Sequence, residues 1–436
     1  MKGFFMLAKM HGEGFKLASM LCLLFISPMI TRAQLDSVSL EQCYVWAREN
    51  YPDIAKLELM DRAEGYELSN LGKRFLPQLA ISGQASYQSQ TVDFQYAVGR
   101  LPGISLPSVA KDQYRIQGEV SQLIYDGGDL GQQKALARAN VALQKQRTEI
   151  SLYAVRQRLN SIYFSILLMD EQAKRNVLHA ENIKVQIRKM EASVKNGTAL
   201  RSSLDELRAE LLHIQQQDVE YQTSRQAYMH ILSLFIGKQL SEGTKFSRPR
   251  TPADDRGIDR PELRAFELQR SVYKIQRRQL EVAYLPQISA FFQAAYGRPT
   301  LNIIENRFGP WYITGLRVSW SLGSLYLLSN KRKLFDLNEA TVETDSRTFL
   351  LNTKLELAQQ DAQVAKYVKL IAEDEKLIGL RTSIRTAAEA QLENGVITTS
   401  EYVQKVNAEN LAWQSRIFHQ LQLLQARYHQ KFISGN

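Results

Sequence analysis

The sequence predicts an α+β protein made of one unit written twice, each unit joining two short amphipathic strands to a very long helix that turns back on itself. Three observations carry this reading. Leu76-Pro77-Gln78 opens a strictly alternating stretch, Leu285-Pro286-Gln287 opens a second one, and a long proline-free heptad run follows each. In the first stretch Leu79, Ile81, Gly83, Ala85 and Tyr87 fall on one side, and Gln78, Ala80, Ser82, Gln84, Ser86 and Gln88 on the other. Period 2 over about ten residues is a strand with one apolar and one wet face. The edge strand of a soluble sheet would alternate in the same way, but a wet Gln/Ser face opposite small residues and a tyrosine also suits the wall of a water-filled barrel.

The duplication is exact in its spacing. Pro52-Asp53-Ile54 recurs as Pro261-Glu262-Leu263, and Pro77 as Pro286, both 209 residues on. Val120-Ser121 recurs as Val318-Ser319 and Asn196-Gly197 as Asn394-Gly395, both 198 residues on. The loop between the paired strands is therefore eleven residues shorter in the second copy, since 209 − 198 = 11. Such self-similarity means that the structural unit is the repeat.

In chain order, residues 1–33 read as a secretory signal peptide: Lys2, Lys9 and Lys16, an apolar run from Leu17 to Ile30, and Thr31-Arg32-Ala33. Residues 34–236 form the first copy: a helix interrupted at Pro52, strands over 78–90 and 113–125, and helices over 130–195 and 200–236. Residues 237–259 are a polar connector. Residues 260–436 form the second copy, with a helix from Pro261 to Tyr284, strands over 287–296 and 311–322, and helices over 329–393 and 398–432. Leu152, Leu159, Ile166, Ala173, Ala180, Ile187 and Val194 keep one heptad phase in the first long helix. Adding 198 gives Leu350, Leu357, Val364, Ile371, Ile378, Arg385 and Leu392, apolar at all but Arg385. Asn-Gly stops each rod, glycine supplying the left-handed turn. Tyr87, Tyr114, Tyr296, Trp311, Tyr312 and Trp320 lie near strand ends or faces, as the aromatic girdles of a membrane barrel do, while each taken singly reads as an ordinary strand aromatic.

Composition narrows the function. The formal charge is +10; Lys2, Lys9, Lys16, Arg32 and Glu13 account for +3, which leaves +7 spread without a dense basic block, so a nucleic-acid interface is a poor fit. With Cys22 removed alongside the signal, Cys43 is alone and no intrachain disulfide can form. The six histidines show no metal-ligand spacing, and the chain carries no nucleophile elbow or phosphate loop. No cofactor is expected. Four strands of about ten residues suffice to cross an outer membrane but not to close a barrel, and lipid tolerates no open edge. If the strands span a membrane, several chains share one barrel.

At these residues the chain resembles the TolC-type outer-membrane efflux proteins. The resemblance rests on the duplicated strand–strand–long helix–helix unit, on Val120 through Gly128 (VSQLIYDGG), and on Asn394-Gly395-Val396-Ile397-Thr398-Thr399-Ser400-Glu401-Tyr402. It implies a homotrimer in the Gram-negative outer membrane: a twelve-stranded transmembrane β-barrel, four strands per chain, continued by a long periplasmic α-helical coiled-coil barrel. It further implies a passive exit duct in a tripartite efflux or secretion system, working with a periplasmic adaptor and an inner-membrane pump of RND or ABC type. The cargo stays open among drugs, metals, siderophores and proteins. Gln84, Glu119 and Arg317 are expected in the barrel lumen. By the resemblance, Glu401 and Gln404 ring the periplasmic constriction, and Asn196, Gly197, Asn394 and Gly395 mark the helix tips that meet the adaptor. A Tyr and an Arg of the family's gate are replaced by Leu392 and Ile397, so closure must use other contacts. Trp320-Ser321-Leu322-Gly323-Ser324 departs from the family's strand-to-helix turn. A structural coiled-coil protein of the envelope is the alternative reading; it accounts for the heptads but not for four amphipathic strands.

Overall fold

A computed structural model describes residues 37–92, 109–253, 257–302 and 305–436. The signal-peptide expectation and most of the loop between the first two strands lie outside these residues. The first copy comprises helices α1 (Leu40–Asn50) and α2 (Ile54–Gly72), strands β1 (Gln78–Tyr87) and β2 (Asp112–Tyr125), and helices α3 (Asp129–Lys195) and α4 (Arg201–Ile236). The second comprises α5 (Pro261–Val282), β3 (Gln287–Arg298), β4 (Gly309–Ser319), α6 (Leu325–Glu393) and α7 (Thr399–Ser434). Pro52 divides α1 from α2 because a proline cannot donate to the preceding turn.

The strand-to-helix turns differ between copies. In the first, the buried Asp126 carboxylate accepts from the amides of Gly128 at 2.8 Å and Leu130 at 2.6 Å, so the start of α3 is capped by a charge. The repeat offset places Ser324 at that position, and its hydroxyl donates to the Ser321 carbonyl at 2.6 Å instead of accepting from the helix. The strand expected over 311–322 ends at Ser319, a short 3₁₀ turn covers Leu322–Ser324, and α6 begins at Leu325 rather than 329. Without the Asp-Gly-Gly stop, five residues (320–324) separate strand from helix in the second copy, against three (126–128) in the first. The first strand also stops at Tyr87, short of 90.

The strands form one antiparallel sheet in chain order, β1-β2-β3-β4. The central pair, β2 with β3, joins the two copies; its register runs from Tyr114–Arg298 to Leu123–Ser289 and shifts by a bulge before Tyr125. From the sheet α3 runs for roughly 100 Å, packed against α4 of its own copy and against α5 and α7 of the other.

Two cores hold the helices together. The larger gathers Leu40, Cys43, Leu159, Tyr163, Ile166, Leu232, Ile236, Leu424 and Tyr428 at mid-length of the rods. Here Val38, just before α1, pairs in parallel with Phe246 of the connector. The Tyr163 hydroxyl lies 2.8 Å from the Val38 carbonyl and 2.7 Å from that of Ser247, so the connector is fastened to the core. The smaller core, Ile183, Ile187, Leu204, Leu207, Ile214, Ala388, Tyr402, Val403 and Val406, lies toward the helix turns and takes residues from both copies.

Candidate functional site

The sheet separates two chemistries. Paired positions in a ladder share a face, and the register sets Gln84 beside Arg115, Ala80 beside Glu119, Glu119 beside Gln293, and Ser289 beside Arg317. Gln84, Glu119 and Arg317 therefore lie on one face. Arg115 donates to Gln84 at 3.1 Å, Gln293 donates to Glu119 at 2.8 Å, and the Arg317 guanidinium lies 3.6 Å from Glu119 and 4.8 Å from the centre of the Phe291 ring. The opposite face presents Leu79, Ile81, Tyr87, Ile116, Val120, Phe292, Tyr296, Tyr312, Leu316 and Val318, all exposed. Ile81 is 77% accessible. A sheet with a wet face and an uncovered apolar face is unstable in water and suited to a wall between water and lipid. Trp311 is a correction to the girdle expectation: it pairs with Ala295 on the wet face, and Trp320 lies past the strand end, where its indole donates to the Tyr284 carbonyl at 2.9 Å.

The helix turns are built as matched stops. At the first, Thr198 donates to the Ser193 carbonyl at 2.9 Å and Gly197 to that of Val194 at 3.1 Å; at the second, Val396 donates to Gln391 at 2.8 Å and Gly395 to Leu392 at 3.1 Å. Gly197 and Gly395 hold φ of 72° and 71°. This is the Schellman arrangement, which requires a left-handed residue after the C-cap. Asn196 and Asn394 are the C-caps, and all four residues are exposed.

The returning helices start differently. Thr398 caps α7: its hydroxyl accepts from the Glu401 amide at 3.2 Å, and the Glu401 carboxylate accepts from the Thr398 amide at 2.8 Å. That amide bond holds the Glu401 carboxyl below the usual carboxylate range. Glu401 is thus both exposed and fixed in direction, and Gln404 is exposed one turn on. The helix α4 begins at Arg201, and the Leu200 before it provides no side-chain cap.

Contacts between the copies near the turns were not legible in the heptads. Lys189 of α3 lies 2.6 Å from Glu393 and 3.1 Å from Glu389, both on α6, and Gln186 donates to Glu389 at 2.6 Å. Arg385, the single polar member of the second heptad series, reaches Glu389 at 3.1 Å and the buried Glu409 of α7 at 2.8 Å, while Thr382 donates to Glu409 at 2.7 Å. The interruption of the series at Arg385 was the available signal; no spacing connects Lys189 with its partners.

Among the described residues no group of acidic, histidine or cysteine side chains could hold a metal, and no helix is long and apolar enough to cross a membrane.

Residues 44–238 match the sequence profile of the outer membrane efflux protein family. No curated protein sequence matches the chain. Among solved structures, a CusC structure described in terms of folding and transmembrane channel formation aligns at TM-score 0.68 and 12% identity, covering 93% of this chain and 94% of that one. The Campylobacter jejuni CmeC outer membrane channel aligns at TM-score 0.61 and 13% identity, covering 91% and 85%. The Vibrio cholerae outer membrane protein VceC aligns at TM-score 0.61 and 12% identity, covering 90% and 95%. At these identities the likeness is one of fold.

Proposed function

We propose that the chain, whose residues 44–238 match the outer membrane efflux protein family, is a member of that family: one protomer of a trimeric, passive exit duct in the outer membrane rather than an enzyme. Three chains would close a twelve-stranded barrel and continue it as a helical tunnel into the periplasm. Cargo would enter from a periplasmic adaptor and an inner-membrane pump, of RND or ABC type.

The observation that carries this reading is the mismatch between the two ends of the repeat. Within the chain, copy one meets copy two through β2 with β3 and through α3 with α5 and α7. Among the described residues the far side of copy two has no such partner: β4 is a sheet edge, and α6 packs along its length on α5 and α7, meeting α3 near the helix turns. Leu334, Leu337, Leu351, Leu355 and Leu380 of α6 stay exposed. Repeating the same contact from copy two to copy one of the next chain would pair β4 with β1 and set α6 against α2 and α4 of that neighbour. A head-to-tail contact of this kind closes into a ring when the rotation between chains divides a full turn. It would also remove both sheet edges, which lipid requires. The number three is what the resemblance to that family implies.

On this reading Gln84, Glu119 and Arg317 line the barrel lumen, Asn196, Gly197, Asn394 and Gly395 form the tips that meet the adaptor, and Glu401 with Gln404 surrounds the narrow end. Native mass measurement of the detergent-extracted protein is expected to give three chains. A stable, folded monomer would overturn the proposal.

A further inference from the structure

The wet face of the sheet carries three charged residues among its described strand positions: Arg115, Glu119 and Arg317. They are not equivalent. Glu119 is held between Gln293 and Arg317, at 2.8 and 3.6 Å, so these two charges largely cancel. Arg115 is left without a carboxylate partner among the described residues. Its cross-strand neighbours on this face are Gln84, which accepts from it at 3.1 Å, and Gly297, which has no side chain. The diagonal neighbours are Ser82, Ser86 and Ala295, and Gln113 and Gln117 flank it along β2. Gly297 is fixed by the backbone: a Cβ there would run into the Tyr114 carbonyl and the Arg115 main chain. No acidic side chain can occupy the position opposite Arg115 without moving β2. The pairs Gln84–Arg115 and Arg115–Gly297 lie toward the loop end of the strands, away from the helices.

We infer that Arg115 makes the outer part of the barrel an anion-accepting filter, three copies forming a basic ring that attracts carboxylate, sulfonate or phosphate groups of outgoing solutes. The inference rests on the conduit reading above. Rings of arginine favour anions because the attracted charge is held in a confined, partly desolvated passage. The exposed Glu401 sits at the opposite end, so the duct would carry charges of opposite sign at its two mouths.

The test reads the local potential directly, independently of whether the far end is open. Cysteine is placed at Gln117 (Q117C), about 7 Å along the strand from residue 115, in the full-length exported protein. Cys43 does not compete, since it is buried and its thiol is pushed up to about 12 by that burial. The rates of modification by an anionic (sulfonatoethyl) and a cationic (trimethylammonioethyl) methanethiosulfonate are compared, each divided by the rate of the same reagent with a small free thiol. One unit charge at this distance alters the local reagent concentration about threefold, so the anionic reagent should be favoured by about five- to tenfold at low salt. The preference should shrink in 1 M salt, where the screening length falls to about 3 Å. R115K should keep the ratio, R115Q should bring it near one, and R115E should invert it. A ratio unchanged by R115Q overturns the ring. A residue-117 thiol that neither reagent reaches, or an I81C thiol that reacts as fast as Q117C, overturns the conduit reading instead.

Discussion

The two long helices share one heptad phase and meet different surroundings. In α3 the positions Leu152, Leu159 and Ile166 are buried, at 6%, 1% and 0% accessibility. Their repeats in α6, Leu350, Leu357 and Val364, are only partly covered. Eighteen residues of α3 are buried and five of α6, although the helices have 67 and 69 residues. Composition does not explain this. Position does: α3 lies at the junction between copies and is packed from both sides, whereas α6 lies at the end of the chain's own material. An amphipathic sequence repeated faithfully but covered once is what the proposed trimer would fill, with the next chain on α6.

Substituting equivalent leucines gives the largest effect and can break this interpretation. Leu159→Ala should cost about 2–5 kcal/mol, the usual loss for emptying a buried leucine site. Leu357→Ala would cost less than about 1 kcal/mol if α6 stays half-open, because little area would be uncovered. If the next chain covers α6, the loss should approach that of Leu159→Ala. The measurement is the denaturant midpoint of the detergent-extracted oligomer for both variants. Comparable losses are expected; a silent Leu357→Ala would mean that α6 remains uncovered and would remove the head-to-tail contact.

The same contrast shows what could be read from the sequence. Strands, rods and turns were legible because their signals are local: alternation after Pro77 and Pro286, heptads, and Asn-Gly stops. The sheet register then joined Gln84, Glu119 and Arg317, since alternation fixes the face. The start of α6 was misplaced because Ser324 stands where Asp126 caps the first copy, and a missing cap leaves no positive mark. Pairings across the copies, such as Lys189 with Glu393 or Arg385 with Glu409, depend on the azimuth of four helices and have no sequence period. For Glu401 the resemblance supplied only a proposed place at the constriction; the structure adds its place in the helix cap. Its position in Thr398-Thr399-Ser400-Glu401 is a capping box, and an exposed carboxylate is also what a charged constriction needs.

A smaller effect distinguishes the copies by pH. His179 of α3 is 3% accessible and neither ring nitrogen has a hydrogen-bond partner. Burial lowers its pKa to about 4, and Arg175 on the same helix acts in the same direction. Facing groups are His213 on α4, which also opposes the charge, and Glu409 on α7, which favours it but is paired with Arg385 of α6. The repeat position is Leu377, 42% accessible. A folded pKa below the unfolded value means that the unfolded chain binds the proton more readily. The contribution of this site is then intact above about pH 6.5 and is lost as pH falls toward 4, by roughly 1–3 kcal/mol. Hydrogen exchange in α3 should accelerate over that interval, and His179→Leu should abolish the change by making copy one resemble copy two. A pH profile unaffected by His179→Leu would show that other groups set the acid response.

The smallest difference lies at the turns, and it separates structure from selectivity at Glu401. The second turn has a capping box and the first has Leu200 at the cap position and Ser203 at the position of Glu401. Thr398→Ala removes the hydroxyl that caps α7 and should destabilise that turn by about 1 kcal/mol, leaving the Glu401 charge in place. Glu401→Gln does the reverse. Glutamine can serve the same box, its side-chain oxygen still accepting from the Thr398 amide, so the turn keeps its shape and loses only its charge. Single-channel recordings of the purified oligomer should then show reduced cation preference and weaker block by multivalent cations for Glu401→Gln, with Thr398→Ala closer to the parent in selectivity and faster in amide exchange near residue 398. The neutral Gln404 supplies no second acidic ring to compensate. Should Glu401→Gln leave selectivity and block unchanged, the carboxylate belongs to the helix cap alone, and the two turns differ only in how firmly the returning helix is started.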